Sequence, residues 1–216
     1  DRRRHIYIIG KTGTGKTELI QELRRRGRPA VDLEELANNR GSVFGSVGLG
    51  LAPTQKNFEA RLTAEIQAFG ALKWIVVECE SKRIGKVIMP NSLHQAMQEG
   101  KQVLIYDSVE NRVQRLVKEY TSFLNPEPEL ESAMNRLVKR LGHESLGYLK
   151  NLLETGDYQT FARILLEEYY DPLYGYPNEP HPDYCLSVSM ENPVKALEEI
   201  EQLLDSMEDA GETAVS

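Results

Sequence analysis

Short apolar runs alternate with helical periodicity along most of this chain. Residues 6–9, 30–33, 74–77, 103–106 and 186–188 are β-branched or aromatic and bounded by turn residues, as buried parallel strands are. Helical spacing fills 17–25, 55–69, 91–98, 110–123, 130–141, 145–153, 158–169 and 193–204. This alternation predicts an α/β fold, a doubly wound parallel sheet with right-handed crossovers. Between about residues 125 and 180 the alternation stops. That helix-rich stretch is expected to be an insertion or lid over the strand C-termini, where such sheets bind ligands. Asn125-Pro126-Glu127-Pro128 opens it, and the prolines from Pro177 to Pro182 close it. One domain is expected over 1–205, and the acidic, small-residue end at 206–216 is expected to be frayed.

The charge distribution sharpens this picture more than the composition does. With 216 residues, 40% hydrophobic and 27% charged, the chain is large enough to bury a core. No apolar run approaches the ~20 residues of a membrane helix, so no membrane partner is expected, and the two widely separated cysteines fit a reducing cytoplasm. Cys79 and Cys185 lie far apart without metal-ligand spacing and read as small core residues beside strands. The net charge of −7 conceals +4 over residues 1–60 and −12 over residues 157–216. Arg2-Arg3-Arg4 and Arg24-Arg25-Arg26-Gly27-Arg28 suit a polyanionic partner; the second cluster equally suits a solvated helix end that complements the helix dipole.

Gly10-Lys11-Thr12-Gly13-Thr14-Gly15-Lys16-Thr17 carries the strongest chemistry. It is a phosphate-loop (Walker A) pattern between an apolar strand and an amphipathic helix, the context that gives the motif meaning. The glycines let successive N–H groups face one anion, and the helix N-terminus directs its dipole there. Lys16 adds a point charge, and Thr17 offers a hydroxyl to Mg²⁺. A diphosphate-containing ligand is expected.

Other segments supply candidate partners for that loop. The strand at 74–77 ends in Glu78-Cys79-Glu80, where P-loop proteins place the acid that supports Mg²⁺; Glu78 is the first choice and Glu80 the second. Ser81-Lys82-Arg83-Ile84-Gly85 reads as an anion clamp or a surface turn. Residues 39–50 carry Arg40, Ser42 and glycines at 41, 45, 48 and 50, a poorly packing, mobile loop suited to approaching a phosphate. Thr54 is a plausible N-cap for the helix that follows. Arg112 and Arg115, three apart on one helix face, suit a leaving diphosphate or RNA. The tyrosines of 169–174 read first as core packing and second as a stacking wall.

The succession GKTGTGKTELI, VDLEELANNRGSVFG, PTQKNFE, ECESKRIG and YYDPLY resembles the C-terminal P-loop domain of the tRNA 2-selenouridine synthase family, from about residue 5 to about 204. The resemblance implies modification of the wobble uridine of certain tRNAs in two stages. A geranyl group from geranyl diphosphate alkylates the 2-thio sulfur, and selenophosphate then displaces the geranylthio group. It also implies a rhodanese-like domain or separate rhodanese chain with a catalytic cysteine, to which no segment of this sequence corresponds; this chain alone is expected to geranylate but not to selenate.

On this reading Lys16, Glu78 and Arg83 are catalytic, and Thr17 and Glu78 hold Mg²⁺. Gly10, Thr12, Gly13, Thr14, Gly15, Lys16, Thr17, Arg40 and Ser42 bind the donor, with ATP or GTP as the alternative ligand. Arg24, Arg25, Arg26, Arg112 and Arg115 contact tRNA. A nucleoside or nucleotide kinase-like NTPase is the alternative function, and an RNA-binding partner domain a third.

Overall fold

A computed structural model describes residues 4–70, 72–78, 81–122 and 128–212. Five strands form one parallel sheet: β1 (Arg4–Ile9), β2 (Ala30–Asp32), β3 (Trp74–Glu78), β6 (Lys101–Tyr106) and β7 (Leu186–Ser189). Their spatial order is β2-β3-β1-β6-β7. Ile6 pairs with Val76 on one side and Lys101 on the other, which makes β1 the central strand. Its Ile6 and Ile8 are fully buried, in keeping with a strand covered on both faces. A two-stranded antiparallel hairpin, β4 (Arg83–Ile84) with β5 (Val87–Ile88), lies outside this sheet.

Helices cover both faces. α1 (Lys16–Arg25) and α8 (Pro193–Glu212) pack on one, where Leu19, Ile20, Leu23, Leu197 and Ile200 share a core with Ile6, Ile8 and Val76. α2 (Leu33–Leu36), α3 (Gln55–Ala68) and α4 (Asn91–Glu99) belong to the other, around Phe58, Ile75 and Val77. Thr54 caps α3 by accepting the Asn57 N–H at 3.2 Å.

Between β6 and β7 stand α5 (Val109–Thr121), α6 (Pro128–Thr155) and α7 (Tyr158–Ile164), then a π-helical stretch Leu165–Tyr170 and a 3₁₀ turn Asp171–Leu173. These helices have their own core, including Leu116, Leu137, Leu149, Phe161 and Leu165. Gly142 breaks α6 with φ 82°, so the two helices expected over that stretch meet at a kink.

Two stretches are built differently from the expectation. Residues 39–50 do not make a poorly packed loop: Phe44 and Val47 are each 1% exposed, and the Phe44 ring packs 5.2 Å from Tyr120 and 5.9 Å from Phe161. Aromatic anchoring outweighs the freedom of the intervening glycines. Of the expected acidic tail, the described residues 206–212 continue α8, whose Met207 carbonyl accepts the Trp74 indole N–H at 3.3 Å. Glu80, Cys79, Arg2, Arg3 and Asn125–Glu127 lie outside the described residues. Among the described residues no helix is long and apolar enough to cross a membrane.

Candidate phosphate-binding site

The loop between β1 and α1 stands at the C-terminal edge of the sheet, beside the point where strand order reverses. Gly13 and Gly15 take φ of 77° and 91°, and a Cβ on Gly10 would collide with the Ile105 carbonyl of the neighbouring strand. Thr14 closes the turn through its hydroxyl, which donates to the Lys11 carbonyl at 2.8 Å. Lys16 folds back across the loop and donates to the carbonyls of Gly10 at 2.9 Å and Lys11 at 3.1 Å. Its ammonium is thereby held over the loop, where a phosphate oxygen would compete for it.

Two arginines brace the loop through its carbonyls. Arg112 Nε donates to the Thr12 carbonyl at 2.9 Å, and Arg115 donates to that of Gly13 at 3.1 Å. In a trans peptide the N–H points opposite to the C=O, so drawing the Thr12 carbonyl to Arg112 turns the Gly13 N–H away from it. Arg115 also pairs with Asp107 at 2.6 Å and reaches the Met190 carbonyl at 3.3 Å. The expected shared face is real, and the two arginines differ on it: Arg115 stays partly exposed and lines the cleft. Arg112 is wholly buried and forks onto Asp171, so it is structural rather than nucleic-acid facing.

A cleft of about 580 Å³ opens in front of the loop. Thr12, Gly13, Gly15, Lys16 and Thr17 line it together with Arg40 and Ser42, the two donor-binding candidates from the following segment. Arg40 is fixed there by a 2.9 Å bond to the Val47 carbonyl. Thr17 Oγ1 donates to Glu34 Oε2 at 3.4 Å, which places a carboxylate beside the hydroxyl expected to touch Mg²⁺. Asp32 is 1% exposed nearby; burial raises its pKa, opposed by its hydrogen bonds from the Glu35 N–H and Gln21.

Glu78 ends its strand as expected but is enclosed there. It is wholly buried at the end of β3, in register with Ile8 and Asp32, and does not line the cleft. Among the described residues no three His, Cys, Asp or Glu side chains are grouped to hold a metal. Thr17 and Glu34 therefore fit only an ion that takes its remaining ligands from phosphate and water, as Mg²⁺ does.

Glu119, on α5, is a cleft residue that sequence reasoning missed. Burial pushes its carboxyl up to about 7, against the pull of Arg40 and with added repulsion from Glu18. Only its position on the buried edge of an otherwise charged helix gives it away.

The remaining candidates lie elsewhere. Arg83 is exposed on the β4–β5 hairpin and faces a separate groove, not the phosphate cleft. Arg24, Arg25 and Arg26 sit at the end of α1 remote from the loop and are paired with carboxylates. Arg24 meets Glu35 and Glu65, Arg25 meets Glu22, and Arg26 meets Glu22 and Glu201. Arg28 extends this network to Glu201 and Asp205, so much of the basic cluster is matched by the acidic final helix. Cys185 is exposed rather than packed in the core, and partial desolvation raises its thiol pKa.

A family profile described as "tRNA 2-selenouridine synthase AAA domain" matches residues 3–203. A protein named tRNA 2-selenouridine synthase from Pseudomonas syringae pv. syringae (strain B728a) is 36% identical, over 81% of this chain and 54% of that protein. One of the same name from Azotobacter vinelandii (strain DJ / ATCC BAA-1303) is also 36% identical, over 81% of this chain and 53% of its own. The chain thus spans about half the length of the curated relatives it matches. Among solved structures it is similar to a gluconokinase from Sinorhizobium meliloti 1021, at 15% identity and TM-score 0.42, covering 100% of this chain and 99% of the other. A shikimate kinase from Bacteroides thetaiotaomicron matches at 13% identity and TM-score 0.35, covering 94% and 98%. Those two scores are too low to bear on function.

Proposed function

The chain belongs to the tRNA 2-selenouridine synthase AAA domain family, and from that premise we propose that it transfers a geranyl group from geranyl diphosphate to the sulfur of a wobble 2-thiouridine in tRNA, on the way to 2-selenouridine. The observation that carries this reading is the cleft itself: a braced phosphate loop with the Lys16 ammonium held at its mouth. In the reaction the allylic C–O bond breaks, a C–S bond forms, diphosphate departs and the N3–H proton of the thiouridine is released. Negative charge grows on the departing diphosphate, so the loop N–H groups and Lys16 stabilise the transition state more than the bound donor. Mg²⁺, when bound, would neutralise diphosphate charge, and Thr17 and Glu34 are the side chains that would hold it. The subsequent selenium step is assigned to a cysteine on a rhodanese-like domain or partner chain.

The test is mass spectrometry of nucleosides from 2-thiouridine-containing tRNA incubated with this chain, Mg²⁺ and geranyl diphosphate. The geranylthio nucleoside is expected, and added selenophosphate should yield 2-selenouridine only when a rhodanese partner is present. Turnover of Mg-ATP with no alkylated nucleoside would favour the kinase-like alternative.

A further inference from the structure

The phosphate cleft shares a wall with a second recess. A groove of about 730 Å³ runs along the other side of the segment at 38–42, and Glu34, Asn38, Asn39, Gly41 and Ser42 line both. Its remaining walls bring together three parts of the chain that lie far apart in sequence. The hairpin supplies Arg83 and Lys86, α6 supplies Arg136, the π-helical stretch supplies Tyr169 and Tyr170, and the end of the 3₁₀ turn supplies Tyr174.

The chemistry of this groove is uneven in a telling way. Arg83, Lys86 and Arg136 are all exposed. Among the described residues none of the three forms an ion pair, although Arg136 donates to the Val43 carbonyl at 2.8 Å, whereas Arg24, Arg25, Arg26, Arg112 and Arg115 all do. Beside these cations stand half-buried aromatic rings. Arg140 lies 6.0 Å over the Tyr169 ring, and Tyr174 is parallel to Tyr176 at 6.3 Å. Tyr170 is committed to the core, where its hydroxyl meets that of Tyr120 and accepts the Val43 N–H at 3.2 Å. Tyr169 and Tyr174 are half-buried and line the groove.

Cations without carboxylate partners beside aromatic side chains that line the same groove match unpaired nucleotides, whose phosphates need charge and whose bases need a stacking surface. A duplex backbone would use the cations and leave the rings idle; a hydrocarbon chain would do the reverse. We propose that this groove receives the unpaired nucleotides of an RNA loop, with Arg83, Lys86 and Arg136 on phosphates and Tyr169 and Tyr174 under bases. The arginine cluster of α1 is not the RNA contact. The proposal rests on the tRNA reading above and adds its geometry: acceptor and donor would meet across the Asn38–Ser42 wall.

The experiment is a salt titration of labelled 2-thiouridine-containing tRNA binding to the purified chain. Variants are Arg83→Gln/Lys86→Gln, Tyr174→Ala, Tyr174→Phe and, as a contrast, Arg24→Gln/Arg25→Gln/Arg26→Gln. The hairpin double variant should lower the log–log salt slope by roughly 1.4–1.8, since each lost phosphate contact removes ~0.7–0.9. Tyr174→Ala should weaken binding roughly tenfold, Tyr174→Phe should leave it intact, and the α1 triple variant should bind as wild type does. Wild-type binding that every groove variant retains, with an unchanged slope, overturns the groove while leaving the tRNA reading in place. Absence of wild-type binding defeats both. A raised KM for geranyl diphosphate with unaltered tRNA affinity would assign the groove to the prenyl chain instead.

Discussion

Arg112 and Asp171 lock the phosphate loop to the helices that follow β6. The guanidinium forks onto the carboxylate at 2.5 and 3.0 Å while its Nε holds the Thr12 carbonyl at 2.9 Å. Lys11, inside the loop, reaches the same carboxylate at 3.4 Å. Asp171 begins the 3₁₀ turn that ends the π-helical stretch, so one acid neutralises two cations from two other elements. The loop and the helical layer are thereby one mechanical unit.

Asp171→Asn is expected to be costly, because it leaves the fully buried Arg112 without its counter-charge. Removing one partner of a buried ion pair typically costs about 3–5 kcal/mol, and the partial exposure of Asp171 puts the expectation near ~3 kcal/mol. Urea unfolding measures it. A midpoint equal to wild type would show that the pair does not hold the loop.

Lys16→Ala addresses the chemistry rather than the scaffold. Losing one transition-state charge contact costs about 3–4 kcal/mol, so geranyl transfer should fall roughly 10²–10³-fold while the far-ultraviolet circular dichroism is retained. Near-normal transfer by the folded variant would remove the diphosphate from the loop.

The strands and the phosphate loop were readable because each is a local pattern. The β-branched runs at 6–9 and 74–77 became β1 and β3, and the glycine spacing of 10–15 fixed the loop. The hairpin of Arg83–Ile84 and Val87–Ile88 was not readable, since two-residue strands carry no periodicity. Phe44 looked like a loop residue among glycines, yet its burial depends on Tyr120 and Phe161, which no local window contains. The pairing of Arg26 with Glu201 is equally long-range. The opposite charges of the two chain ends are the visible sign of that match, although a polyanionic partner and a solvated helix end account for the basic cluster equally well in the sequence. Glu34 lies within VDLEELANNRGSVFG with no local sign of its role, because its approach to Thr17 depends on how α2 leaves β2.

The two carboxylates expected near the metal can be told apart. Glu34→Gln should raise the Mg²⁺ concentration needed for half-maximal transfer roughly tenfold, whereas Glu78→Gln should leave that concentration unchanged and act, if at all, on stability. These expectations follow from the place of Glu34 on the cleft wall and the enclosure of Glu78 behind it. The opposite result in the Mg²⁺ titrations would return the role to Glu78.

Glu119 sets a pH dependence of stability whose sign follows from its environment. Its carboxyl is raised from an ordinary 4.5 to about 7, chiefly by burial, with Arg40 opposing and Glu18 reinforcing. Between those values the folded chain holds a proton that the unfolded chain has released. Stability linked to this group is therefore greatest below pH ~4.5, declines as pH rises, and is lost above about 7. The full shift corresponds to on the order of 3 kcal/mol, reduced where water in the cleft screens the charge. Glu119→Gln removes the titration, so its advantage over wild type in urea unfolding should grow between pH 5 and pH 8. A bound diphosphate, being anionic, should push the Glu119 carboxyl higher still, so donor binding near pH 7.5 should take up a fraction of a proton. Calorimetry in buffers of different ionisation enthalpy measures that uptake. A stability difference that stays constant across the pH range, with no proton uptake on donor binding, would show that Glu119 is already ionised in the cleft.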